Sequence, residues 1–385
     1  MSFTENKWIS VIVFLFMGKL NAQVTGGFNF NWSILSTLPP AAGEKDQPGV
    51  AGPVSGIAGK HLIVAGGANF PDGMPWTGGK KVYRDDYFVM KKKNKSYTWI
   101  SQKTSRLQNK IAYSACITTP KGIVSIGGEN EYGLSKEVFL LHWDVKDRTL
   151  LQDPLPGIPV PTTNGCATRK GNLIYFAGGE TRDAVSNQFM ALDLLHQDQG
   201  WQLLPPLPHA SSHAALIYQS QKIYLIGGRK KTNSGISELY EEVYEYNAAQ
   251  AAWTIRSSLP YALSAGSAIA FGSDQILLFG GDQGTTFHQV ELALAAIQQT
   301  TDESLKKELI IKKNHLLSTH PGFDRSILFY DTRSNIWTQA GIMPYETPVT
   351  TPVYKWGRSI ILPCGEIKAG IRSPRIIAMK PVPTS

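Results

Sequence analysis

The stretch IYLIGG, Ile223 to Gly228, is a short apolar run closed by two glycines. Near copies stand at LIVAGG (Gly66, Gly67), IVSIGG (Gly127, Gly128), IYFAGG (Gly178, Gly179) and ILLFGG (Gly280, Gly281). The doublets recur every 49 to 61 residues, which is the mark of a chain built from one repeated unit. A second signal has the same period: a Trp, five residues, then an apolar residue and Pro. It occurs at Trp32…Leu38-Pro39, Trp201…Leu207-Pro208, Trp253…Leu259-Pro260 and Trp337…Met343-Pro344, with degenerate copies at Trp99 and at Leu155-Pro156.

A strand ending in Gly-Gly, a second strand, then a strand bearing Trp resembles the kelch repeat, one four-stranded blade of a propeller. The physics agrees with the resemblance. One blade cannot bury both of its faces, so blades stack around an axis. The glycines allow positive φ and close backbone approach, and the indole fills the gap between neighbouring blades. A sixth, degenerate doublet is read at ILPCGE, with Gly365-Glu366 in the Gly-Gly place. It follows Gly280 by 85 residues, and the excess is explained by residues 289–318, which lack Gly and Pro and have helical composition. Within them Thr300…Glu303 has capping-box spacing for a second helix.

After Pro344 three strands are expected, around 349–354, 358–364 and 374–380, so the strand around Trp32 must complete that blade and close the ring. The expected fold is therefore all-β: a six-bladed kelch-type propeller over residues 23–385, closed by its N-terminal strand, with a small helical insertion in blade five. Residues 1–22 read as a secretory signal, an apolar run from Trp8 to Met17 after Lys7 with Ala22 before the cut. That implies an exported protein with no stable membrane insertion after cleavage.

Composition narrows the function. The chain has 385 residues, 42% hydrophobic and 18% charged, and a net charge of +8. The cations are scattered except at Lys91-Lys92-Lys93, so nucleic acid is not an expected partner. Cys116, Cys166 and Cys364 lie in apolar strand-like runs and are expected as buried free thiols. His288, His315 and His320 show no metal-ligand spacing, and the doublets are expected to precede strands, not a phosphate-binding helix. Neither a metal nor a cofactor is expected.

In a blade of this kind the post-glycine loop and the connection to the next blade share one face. That face collects Asn69, Glu129, Glu180, Arg229, Asp282, Glu366 and Arg372, with Asn109, Asn164, His213, Ser264 and Tyr345 from the inter-blade connections. A polar ring at the mouth of an axial channel suits a small polar ligand.

The segment CGEIKAGIR, Cys364 to Arg372, resembles the Gly-Glu-x-Lys-x-Gly-x-Arg segment of the N-acetylneuraminate epimerases, a periplasmic family of kelch-propeller sialic acid mutarotases. FGGDQG, the helical insertion and SILFYDTRSNIWTQAGIMPYETP fit as well. IVAGGANF…GGKKVYRDDYFVM and IVSIGGENEYG, similar to C-terminal blades of the best-known members, stand here at the front. The chain thus resembles a cyclically permuted branch of the family over nearly all of residues 30–380.

The resemblance implies a sugar-acid mutarotase that converts α-N-acetylneuraminate to its β-anomer through ring opening. It implies Glu366 as catalytic acid/base and Arg372 as the second catalytic residue, read here mainly as anchor of the substrate carboxylate. Lys368, Arg229, Asn69, Glu129, Glu180 and Asn164 are the expected substrate-binding residues. The expected partner is a small acidic sugar, and the insertion is left as a lid or as the contact of a homodimer. The competing reading is a non-catalytic kelch propeller that binds glycans or proteins. A sialidase is disfavoured because no Ser-x-Asp-x-Gly-x-x-Trp box is present.

Overall fold

A computed structural model describes residues 29–382 except Lys95 and Lys103, so the leader expected over 1–22 lies outside the described residues. Six four-stranded antiparallel sheets account for the repeat. Their inner strands, which define blades one to six, are Val54–Ala58, Ala115–Thr119, Cys166–Lys170, Ala215–Gln219, Ser267–Phe271 and Tyr354–Trp356. Blade six is completed by Ser359–Pro363, Arg375–Val382 and the N-terminal strand Asn29–Thr37, which pairs with Arg375–Val382. The ring therefore closes as the sequence implies.

Six apolar clusters fill the six gaps between neighbouring blades. The outer-strand indoles also tie blades together. Trp201 Nε1 donates to Pro156 O (2.7 Å), Trp253 to Pro205 O (3.2 Å) and Trp337 to Ser257 O (3.0 Å), each reaching the preceding blade. Trp99 makes the same bond to Thr37 O (2.9 Å), across the seam where the chain's two ends meet. In blade two the partners are exchanged: Trp143 stands on the third strand and Leu150 opposite it.

Several expectations need correction. The doublet of blade six is Cys364-Gly365, not Gly365-Glu366. Its φ angles of 58° and 110° match those of Gly127-Gly128 (62° and 105°), and Glu366 forms the bridge to Val349 that Glu129 forms to Ala112. The first strand of blade six is Tyr354–Trp356, not 349–354, and Thr350 takes a left-handed conformation (φ 51°) that keeps 349–350 out of it.

The insertion is longer than 289–318. Helix α1 spans Thr285–Gln299 and helix α2 spans Glu303–Ser318. Gly284, at φ 84°, turns the chain directly into α1, and Asp302, not Thr300, caps α2 by accepting from Ser304 N and Leu305 N. The blade-five doublet thus leads within a few residues to a helix. The carboxylate of Asp282 already takes the Gly284 N–H (2.8 Å) there, a poor start for a phosphate site. Among the described residues no helix is long and apolar enough to cross a membrane.

The three cysteines are free, and burial pushes the thiols of Cys116 and Cys166 up to about 12.

Candidate active site

The mouth of the channel is organised by one position in each blade. Gly52, Tyr113, Asn164, His213, Ala265 and Thr350 stand just before the inner strands, all with φ between 51° and 60°. Their backbones join head to tail: Gly52 N to Thr350 O, Tyr113 N to Gly52 O, Asn164 N to Tyr113 O, His213 N to Asn164 O and Ala265 N to His213 O, at 2.8–3.0 Å. The residue before each pairs with the first residue after a doublet, giving six bridges to Ala68, Glu129, Glu180, Arg229, Asp282 and Glu366. Backbone geometry alone therefore carries five charged side chains to equivalent places on one face. Below the ring the inner strands line a cavity of about 670 Å³, a size suited to a small ligand. Tyr113, Asn164 and His213 belong to its lining.

The segment 366–372 is a two-stranded hairpin in which Glu366 and Arg372 are register partners. Paired residues of a ladder put their side chains on one side of the sheet, which is why these two meet. Gly370, at φ 74°, makes the turn, and a Cβ there would approach Trp76 and Met74 to 3.1–3.2 Å. Glu366 Oε1 accepts from Gly370 N (2.8 Å) and from Arg372 Nη1 (3.0 Å). Arg372 is only 5% exposed, its guanidinium lies 4.8 Å from the centroid of Phe70, and its Nε has no partner among the described residues.

A second group forms on the other side of the mouth. Glu180 accepts from Ser212 Oγ (2.9 Å) and Asn164 Nδ2 (3.4 Å), and lies 3.7 Å from Arg229 and 3.5 Å from His213 Nδ1. Arg229 stacks at 4.6 Å on Phe287 of α1. Burial, and then the charge of Arg229, hold the His213 imidazole well below its usual range, so it is neutral at pH 7.

Glu129 joins the mouth, held by Lys81 (2.7 Å) and Tyr83 (2.6 Å). Lys368 points toward Glu346 at 3.6 Å and is 36% exposed. Asn69 is buried behind the mouth, donating to Gly49 O, and Ala68 takes the post-doublet place in blade one. Asn109 and Tyr345 fall outside the six-residue ring, and Ser264 stands beside it, bridging Asp282. Tyr113, Lys81 and Ser212 are at the mouth without having been singled out. Tyr113 takes in blade two the place that Asn164 and His213 take in theirs, and Ser212 makes the bridge to Arg229 that Ser264 makes to Asp282, so the repeat register carries both.

The insertion lies on this same face. Glu291 of α1 accepts from Ser237 N and Ser237 Oγ, and Asn314 of α2 donates to Trp76 O. Among the described residues no group of three or more His, Cys, Asp or Glu is placed to hold a metal ion.

Fold and mouth together define a six-bladed propeller with paired acids and arginines around its axis. The family model described as N-acetylneuraminate epimerase matches residues 18–150 and 155–381, and the chain belongs to that family. A curated N-acetylneuraminate epimerase of Brucella melitensis is 38% identical over 233 residues, 58% of each chain. One from Salmonella typhi is 24% identical over 222 residues, 57% of this chain and 56% of the relative. The matched segments thus span a little over half the length of these relatives.

Proposed function

We propose that this protein is a sugar-acid mutarotase that converts α-N-acetylneuraminate to the β-anomer through the open ketone. The family and the names of the relatives support the reaction class. The observation that carries it is the arrangement of one carboxylate and one arginine in a single dry hairpin. Both protein donors to Glu366 reach Oε1, which leaves Oε2 to act on a substrate hydroxyl. Arg372 donates Nη1 to Glu366 and has no protein partner at its buried Nε, and its guanidinium is the group whose planar fork suits a substrate carboxylate.

Glu366 removes the proton of the anomeric hydroxyl, the ring opens, and the carboxylic acid returns that proton after closure on the opposite face. Arg229, Asn164, Glu180 and Glu129 line the rest of the mouth and hold the sugar's polar groups. The insertion, contacting the blade-four hairpin through α1 and the blade-one loop through α2, is read as a roof over that mouth. The apolar run of residues 8–17 supports export, with the periplasm as the place of action.

The test is anomer exchange followed by NMR after release of α-N-acetylneuraminate, with wild type and Glu366→Gln compared. Acceleration by wild type, lost in a folded Glu366→Gln, is the expected result. Exchange at the spontaneous rate with wild type would leave only a binding propeller. Acceleration confined to neutral aldoses would remove the role given to Arg372.

A further inference from the structure

Ring opening moves two protons at once: one leaves the anomeric hydroxyl and one arrives at the ring oxygen. A single carboxylate oxygen occupies one of those places, and the second needs a donor on another side of the sugar. The mouth contains an ionisable side chain to which the reaction above assigns nothing. Tyr113 occupies the ring position of blade two at φ 58°, a left-handed conformation uncommon for a residue other than glycine. The same position in blade one is Gly52, and a Cβ there would come within 2.4 Å of Tyr113 Cδ1. The aromatic ring therefore lies in the space that a side chain on blade one would fill, and this packing fixes its direction.

Tyr113 lines the axial cavity, where the charges of Arg372 and Glu366 act on its phenol. Lys81 Nζ stands 5.3 Å from its centroid.

Resting on the mutarotase reading of the site, we propose that Tyr113 is a second catalytic residue, which protonates the ring oxygen while Glu366 takes the proton of the anomeric hydroxyl. The step balances. The electron pair of the O–H bond forms the ketone, the bond from the anomeric carbon to the ring oxygen breaks, and the phenol proton completes the new hydroxyl. On closure from the other face that hydroxyl returns its proton to the phenolate, and protonated Glu366 returns the other to the carbonyl oxygen. Burial raises the phenol above its usual range, so it is protonated before the step. Arg372 and Lys81 oppose that rise and meet the phenolate charge as it forms.

The experiment uses the full chain in the anomer-exchange assay with Tyr113→Phe and with fluorotyrosine placed at 113. Phe keeps the packing over Gly52. The expected result is a fall in kcat of about 100-fold or more with KM changed by less than about 3-fold. The rates of the fluorotyrosine proteins should follow the acidity of the phenol, which a purely structural ring would not show. Wild-type kcat in a folded Tyr113→Phe, or rates indifferent to fluorination, would overturn the assignment while leaving the mutarotase reading intact. Absence of any acceleration by wild type would remove both.

Discussion

Two carboxylate–arginine pairs stand three blades apart on the same mouth. Glu366 and Arg372 come from one hairpin, 3.0 Å apart, with side chains 20% and 5% exposed. Glu180 and Arg229 come from adjacent blades, 3.7 Å apart, and are 31% and 22% exposed. Each arginine stacks on a phenylalanine, Phe70 in one case and Phe287 in the other. The first pair is dry and held by ladder register, which suits charge movement in a fixed geometry. The second is looser and wetter, and its guanidinium is freer to adapt to a ligand. Glu366 and Glu180 hold equivalent places, yet their arginine partners differ in burial and geometry because one pair is built within a hairpin and the other across a seam.

Substitution of the two acids is the sharpest way to break this comparison. Glu366→Gln should lower kcat for anomer exchange by about 100- to 10,000-fold with thermal stability preserved. Glu180→Gln should cost no more than about 10-fold, mostly in KM, since only binding contacts are lost. Equal losses from the two would show that chemistry is shared between the pairs.

The arginines sharpen it further. Arg372→Lys keeps the charge but loses the fork that serves Glu366 and a carboxylate together, and kcat/KM should fall about 100-fold. Arg229→Lys should fall about 10-fold or less, read as a rise in KM by steady-state kinetics. A reversed order would make Arg229 the main anchor. Lys368→Ser, removing a cation 36% exposed beside Glu346, should change kcat/KM by less than about 3-fold.

A smaller effect appears in stability. The imidazoles of His61, His209, His213 and His320 are all held below their usual 6.5, chiefly by burial. Below about that pH the unfolded chain binds more protons than the folded one, so stability falls as pH falls and levels off above it. Thermal denaturation between pH 5 and 8 measures this, and His213→Asn, which tolerates the left-handed backbone, should flatten the slope.

Much of the fold was legible because a propeller repeats. Doublets and indoles at a common period carry the blade count, and the missing Trp strand of the last blade points to Trp32. What escaped was set by backbone conformation. Cys364 occupies a left-handed position that glycine fills in the other blades, and no residue type there marks the doublet's true place. Glu366 then proves to be a regular member of a six-bridge ring with Glu129 and Glu180. Helix α1 starts before its helical composition does, because Gly284 and the carboxylate of Asp282 turn the chain there.

By itself the sequence determined the number of blades, the closure by the N-terminal strand and the local pair Glu366–Arg372, since each depends on spacing along the chain. Only the tertiary structure decided that Tyr113 packs over Gly52 beside Lys81, that Arg229 meets Glu180 and Phe287, and that Trp76 backs Gly370. Those contacts join residues tens to hundreds of positions apart, and they exist because ring closure converts an equivalent place in each repeat into a neighbour in space.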